Sequence, residues 1–480
     1  MWFTHNHLAQ PPPTPKQGYN VHYPVIHSLN DDILLDIFDC YRLDKDNAWN
    51  VRLGWCKLSH VCRRWRHLIY ECTSHLGMHI KCTNGSPMVD TLDHLPPLPL
   101  FVDYRHTGPG FTILTEQDEL GIYNAFRLRD RVCHIDLKLP PSILHTVVIL
   151  MHEHFPILEH LSLSFSANGE NSLPLTLPTL LPTAFVAPNL RHLALPCINP
   201  PRRLQFLTST VSLVTLELTN IQTSSYFRPR LLVTHLQSLP QLKELYIGFS
   251  IPILSPSTEM ELLNEQGAPV TLPSLKCLSF RGVSAYLESL VAQIKVPRLE
   301  QLGITLFYQI AFALLQLSHL INITAFKIPS VVVSFYYDEV YVTTVHGSSK
   351  WGSFSFRVIC RPLESKISSA AQICHALIPT LSCVEKLMLY HDTERKPAEL
   401  RNGTINSTTW HDLLRSFTGV KELHISGALV QELSRALQVE EVGLDPGFLP
   451  NLRSIHAVDN MFTPFINTRK AVGRPVQFVE

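Results

Sequence analysis

Apolar residues recur along this chain in two rhythms. Near the start they fall at Ile33, Leu34, Ile37, Phe38 and Tyr41, the spacing of one helix face. Asn30 precedes them as a potential N-cap, and Asp31 and Asp32 would occupy the first turn, where the helix dipole favours carboxylates. A polar stretch, "RLDKDNAWN", follows. A second helix is expected from Trp55 to Tyr70, with Leu58, Val61, Cys62, Trp65, Leu68 and Ile69 on one continuous face. Arg63, Arg64, Arg66 and His67 fall away from that face into solvent. Two short helices so apolar on one side cannot bury everything in a module of about forty residues. The remainder of the chain or a partner must cover the surplus.

After Tyr70 the rhythm changes. "HLGMHIKC" and "LPPLPLFVDYR" alternate like strands. A phrase of the form apolar-x-x-apolar-x-apolar then recurs, as in "FPILEHLSL", "APNLRHLAL", "LPQLKELYI" and "VPRLEQLGI". Its first apolar positions are Val132, Leu158, Leu190, Leu213, Leu242, Leu275, Leu299, Ile323, Val384, Val420 and Leu452. Most steps span 23 to 36 residues, and one of 61 leaves room for a degenerate unit. Helical stretches lie between the phrases: Ile143, Leu144, Val147, Val148 and Met151 share a face, and "YLESLVAQI", "IAFALLQLSHL", "AAQICHALI" and "VQELSRALQ" read likewise. Strand followed by helix, repeated, predicts an α/β stack of parallel strands. A helical array would lack the alternation, and a propeller needs several strands in each unit of about 40 residues. One segment, "VVVSFYYDEVYVTTVHGSSKWGSFSFRVIC", alternates over long runs and is expected to form paired strands. Phe335, Tyr337 and Trp351 within it are either an aromatic binding patch or core. "SIPILSPSTEMELLNEQGAP" is expected to be a surface loop, and "FINTRKAVGRPVQFVE" to cap the last unit.

Composition narrows the function classes. Of 480 residues, 40 are Lys or Arg and 40 are Asp or Glu, so the formal net charge is zero; a nucleic-acid-binding chain usually carries a basic excess. The 11 cysteines are scattered with no C-x-x-C pair, which argues for reduced, buried thiols and against a disulfide framework or zinc site. Sequons at Asn84, Asn322, Asn402 and Asn406 matter only in a secreted protein, and no apolar leader segment is visible at the N-terminus. The longest apolar run is about six residues, far short of the ~20 that a membrane span requires. A cytoplasmic or nuclear location is expected. The first residues, with "PPPTP", read as a solvated tail.

The blocks "LNDDILLDIF" and "WCKLSHVCRRWRHLI" resemble the F-box family, which typically reads Leu-Pro-x-Glu-Ile/Leu-Leu-x-x-Ile-Phe and then Leu-x-x-Val-Cys-Arg/Lys-x-Trp-x-x-Leu. Leu29, Ile33, Leu34, Ile37, Phe38, Leu58, Val61, Cys62, Arg63, Trp65 and Leu68 match. Asn30 stands where the family usually has proline, and "DKDNAWNVRLG" lengthens the link between the two helices. The recurring phrase resembles irregular leucine-rich repeats, whose period is about 20–29 residues. These resemblances imply a proline-rich tail over residues 1–23, an all-α F-box-like module over 24–72, linking strands and first units over 73–130, and a leucine-rich-repeat solenoid over 131–480 with a hairpin insertion near 331–360. They imply that Leu29, Ile33, Leu34, Ile37, Phe38, Leu58, Val61 and Trp65 bind a Skp-type adaptor, and through it a cullin. The repeats would select a protein target. Residues between the leucines (Glu159, His160, Arg191, His192, Lys243, Glu244, Glu300, Gln301, Lys421 and Glu422) would line the recognition surface.

No P-loop, G-x-S-x-G, H-E-x-x-H or dinucleotide fingerprint is present. In "HEHFPILEH", helical spacing would point His152 and His154 to different sides, and the 24 histidines look dispersed. Cys360, Cys374 and Cys383 have no base beside them in sequence. No catalytic residue, cofactor or metal is expected. Two readings remain: the non-catalytic substrate receptor of a Skp–cullin–F-box (SCF) ubiquitin ligase, and a repeat scaffold without ligase coupling, in which the helices are only a cap.

Overall fold

The computed structural model describes residues 25–43, 56–72, 79–82, 98–105, 114–165, 180–196, 198–250, 261–262, 267–324, 328–344, 354–391, 407–438, 448–458 and 460–479. The proline-rich tail, the long interhelical segment, Asn84, Asn402, Asn406, "HGSSK", Trp351 and most of "SIPILSPSTEMELLNEQGAP" lie outside them. The described chain is mixed α/β, with 13 α-helices and a large, mostly parallel sheet of 16 strands. It divides between Lys81 and Cys82 into two compact units.

In the first unit, α1 (Asp31–Leu43) starts as its sequence requires. The Asn30 Oδ1 accepts the Ile33 N–H at 2.8 Å, and Asp31 and Asp32 lie in the first turn. The second expected helix is instead two, α2 (Cys56–Ser59) and α3 (Arg63–Glu71). Cys62 breaks it. Its backbone is extended (φ −157°, ψ 171°), and its Sγ accepts the Trp65 N–H at 3.5 Å as the N-cap of α3. The face expected to be continuous is therefore interrupted at Val61. Arg64, expected in free solvent, ties α3 to the start of α1. Its guanidinium donates to the Leu29 carbonyl at 2.5 Å and to Asp31 Oδ1 at 2.7 and 3.0 Å.

The second unit carries strands β1 (Leu100–Arg105), β2 (Val132–Leu139), β3 (His160–Phe165), β4 (His192–Pro196), β5 (Thr215–Ile221), β6 (Glu244–Phe249), β7 (Cys277–Gly282) and β8 (Gln301–Phe307). After them come β9 (Ser330–Phe335), β10 (Glu339–Thr344), β11 (Phe354–Ile359), β12 (Lys386–His391), β13 (Glu422–Ile425), β14 (Ser454–Ala457) and β15 (Gln477–Val479). From β1 to β8 each strand pairs in parallel with the next, and so do β12 to β15. Between these runs the spatial order is β8-β11-β10-β9-β12.

The recurring phrase explains the regular run. Several copies open on apolar-Pro-x-apolar: "FPIL", "APNL", "LPQL", "LPSL" and "VPRL". Each is a turn in which the fourth residue's N–H bonds the first residue's carbonyl, as in Leu190 to Ala187 and Leu242 to Leu239, both 3.2 Å. Proline at the second position presets the backbone for that bond. Both apolar ends point inward: Ala187, Leu190, Leu239 and Leu242 are at most 1% exposed. The next residue bonds back to the preceding unit, Arg191 N–H to the Glu159 carbonyl at 2.8 Å and Lys243 N–H to that of Val214 at 2.8 Å. Strand alternation follows. Ile135, Leu161, Leu193, Leu216, Leu245, Leu278 and Leu302 form one in-register row, none above 1% exposed. Each such side chain contributes about 1.5–3 kcal/mol by leaving water.

Return segments close the other side. The expected helices are found as Pro141–Leu150, Ser284–Ala292, Leu315–Thr324, Leu363–Ala376 and Gly427–Gln438. Successive helices are stitched by buried polar groups. Glu288, 4% exposed, accepts the backbone N–H groups of Gln316 (2.7 Å) and Leu317 (2.9 Å) at the start of the following helix. Burial raises its carboxyl pKa, against the lowering effect of those N–H bonds.

One expectation fails. Ile323 does not open a strand: it lies in the helix Leu315–Thr324 and is 66% exposed. The long step holds instead an antiparallel meander, β9-β10-β11, as the alternation near 331–360 implied. Lys366, 2% exposed on the helix Leu363–Ala376, donates to the Tyr336 (2.6 Å) and Tyr337 (2.8 Å) carbonyls at the meander's first bend. Phe335 is core, packed edge-on against Trp410 at 5.8 Å, while Tyr337 is exposed. At the far end the helix Thr463–Ala471 and β15 continue the stack, and Arg469 donates to the Phe448 and Leu449 carbonyls at 3.0 and 3.1 Å.

Candidate functional site

The residues assigned above to adaptor binding divide into two groups. Ile33, Ile37 and Val61 are 45%, 40% and 58% exposed. All three are apolar, so water contact at these positions is unfavourable. Leu29 and Leu58 are half-buried. Leu34 and Phe38 are fully buried and Trp65 is 9% exposed, with the Phe38 and Trp65 rings meeting edge to face at 4.9 Å. These three have little surface to offer a partner. Packed together, they hold α1 against α3 and fix where Ile33 and Ile37 stand. Val61 is displayed because Cys62 ends the preceding turn; on an unbroken helix it would have faced inward with Leu58 and Trp65.

In the second unit, the outward positions of the strands form rows across the sheet. The first runs Phe101, His134, His160, His192, Thr215, Glu244, Cys277, Gln301. The next is Asp103, Asp136, Ser162, Ala194 and then Glu217, Tyr246, Ser279, Gly303. Glu159, Arg191, His192, Lys243, Glu300, Gln301 and Glu422 are exposed at the strand entries, and His160, Glu244 and Lys421 are partly so. Their exposure agrees with the outward placement that the phrase predicts.

Three chemical neighbourhoods occur along it. At β2–β4, Phe101 stacks on His134 (4.8 Å), His134 on His160 (4.2 Å), and His192 lies 5.7 Å beyond at a tilt. At β6–β11, Tyr246 bonds Glu244 (3.3 Å), and the Arg357 guanidinium pairs with Glu339 and lies 5.1 Å above the Tyr341 ring. Burial pushes the Tyr341 phenol up to about 12 and lowers the Arg281 pKa. At β13–β14, His424 and His456 stack at 4.0 Å beside Glu422. Burial, then the neighbouring His456, lowers the His424 pKa.

Sequence reasoning missed both histidine groupings. His152 and His154 are not on a helix at all, because the helix ends at Leu150. His160 finds its neighbour His134 on the adjacent strand. A signal was present: His134, His160 and His192 all stand third in their copies of the phrase.

Four half-buried or buried thiols are not activated. Burial raises Cys82 and Cys133 to about 12 and Cys360 to about 11, and drives Cys374 up as well. They are protonated near neutral pH, whereas reactive thiols need the thiolate. Among the described residues no helix is long and apolar enough to cross a membrane. No protein-family model matches the chain, and no curated protein does so either.

Proposed function

We propose that this chain is the substrate-recognition subunit of an SCF-type E3 ubiquitin ligase, a non-catalytic receptor. The first unit is read as an F-box that docks a Skp-type adaptor, which bridges to a cullin. The second is read as an irregular leucine-rich-repeat solenoid that binds a protein target on its outer strand rows. The observation carrying this reading is the display of Ile33, Ile37 and Val61 over a buried Phe38–Trp65 support, in helices whose sequence matches both F-box blocks. Asn30 also removes an objection. The family's proline at that position would start a helix, and here the Asn30 side chain supplies the cap. The receptor would act by proximity, holding its target at high effective concentration near the ligase.

The test is co-purification of the whole chain with a Skp-type adaptor, beside the triple variant Ile33→Ser/Ile37→Ser/Val61→Ser. These side chains are exposed, so folding should be retained. The expected result is a stoichiometric wild-type complex and an affinity at least about tenfold weaker in the variant, which requires only ~1.4 kcal/mol. A wild-type chain that forms no complex would be a repeat scaffold without ligase coupling.

A further inference from the structure

We propose that His134, Asp136 and His160 form a binding site for one divalent transition-metal ion, zinc in the first instance, on the outward face of β2 and β3. The proposal stands on this cluster alone and does not depend on ligase coupling.

His134 and His160 are register partners on adjacent parallel strands, and Asp136 lies two positions along β2 on the same outward side. The donor atoms of the three residues all lie within 4.8 Å of one another. Zinc takes imidazole nitrogen at about 2.0–2.1 Å and carboxylate oxygen at about 2.0–2.2 Å in a tetrahedron, so donors around one ion stand about 3.3–3.6 Å apart and up to about 1.5 Å of closure remains. That closure requires the imidazoles, now stacked face to face with 13° between their planes, to turn about their final side-chain torsion until their ring nitrogens converge. That torsion has a broad, shallow profile.

Asp136 is 6% exposed at an outward-facing strand position. The donor set of two imidazoles and one carboxylate suits zinc and its neighbours in the first transition row, and is too nitrogen-rich for calcium or magnesium. Three protein donors leave at least one coordination position open to water or to a group from a bound molecule.

The comparable trio Glu422, His424 and His456 is the weaker candidate. Glu422 is half exposed, and the Lys386 ammonium stands 3.8 Å from its carboxylate, a charge that opposes a second cation. That trio serves as the internal control.

The experiment is equilibrium dialysis of the whole chain against zinc chloride, with cobalt(II) absorption as a direct report of nitrogen and oxygen ligation. Three variants are compared with wild type: His134→Gln/His160→Gln, the single His160→Gln, and the control His424→Gln/His456→Gln. Wild type and control are expected to bind one equivalent. His134→Gln/His160→Gln is expected to lose affinity about 100-fold or more, since even outer supporting residues of such sites are worth 10–100-fold. The single variant, which changes only a partly exposed ring, guards against a folding defect in the double. Affinity should fall as pH drops and the imidazoles protonate. Absence of stoichiometric binding by wild type, or binding that survives His134→Gln/His160→Gln, would overturn the proposal.

Discussion

The strands β1–β8 and the meander β9–β11 lie side by side in one sheet but are held in different ways. In the regular run the same local device recurs: a turn, set by proline in five copies, a backbone bond to the unit before, and a buried apolar residue in each inward row. Stability there is spread over many equivalent small contributions, as expected of a stacked array. The meander has no such turns. Its first bend is closed by the Tyr336 N–H on the Glu339 carbonyl at 2.9 Å and fastened by Lys366, reaching from a helix that begins only after β11. A device repeated in neighbouring units tolerates insertion and drift, and a distant contact made once does not.

Substitutions can break or sharpen this contrast. The largest effect is expected from Leu245→Ala, in the middle of the regular run, at about 3–5 kcal/mol from lost transfer energy and a cavity. Denaturant unfolding measures it, and hydrogen exchange should show the loss concentrated on β5–β7. Lys366→Met should cost somewhat less, about 2–4 kcal/mol, because it leaves two backbone carbonyls without their charged donor. Its exchange signature should be confined to β9–β11; equal loosening of β1–β8 would mean that the two regions are not separable. The smallest effect, about 1 kcal/mol, is expected from Glu288→Gln, and its direction depends on pH. The folded carboxyl holds its proton more tightly than the unfolded one, whose pKa is 4.5. Folding is therefore favoured most below that value, and the advantage is lost as pH rises through the raised folded pKa. Gln does not titrate, so the stability of wild type relative to Glu288→Gln should fall across that window and then level. A difference that rises instead would place the carboxyl's shift in the opposite direction.

Much of the second unit was legible because its information is local. The third position of each phrase, from His134 to Gln301, falls in register across the sheet, and the phrase alone fixes it. The failures are also instructive. "LINITAFKI" mimics the phrase, but nothing before Ile323 provides the turn that opens the true copies. The expected single helix around Cys62 overlooked that a sulfur can cap, so an apolar spacing that fits one helix also fits two. Lys366 and Glu288 were illegible for a different reason: each acts across about 30 residues, and no local pattern marks a buried charge as satisfied. The candidate metal site falls between these cases, since its residues were legible singly and only their alignment brings them together.

The meander also obeys a parity rule. β11 runs parallel to β8, β10 runs against β11, and β9 against β10, so β9 again points the way that β12 does. An odd number of strands is the only kind of antiparallel insertion that returns the chain to its original polarity. The segment amounts to one ordinary repeat strand to which a hairpin has been added. Shortening it by two strands would leave an uninterrupted parallel stack, whereas shortening it by one would reverse every unit that follows.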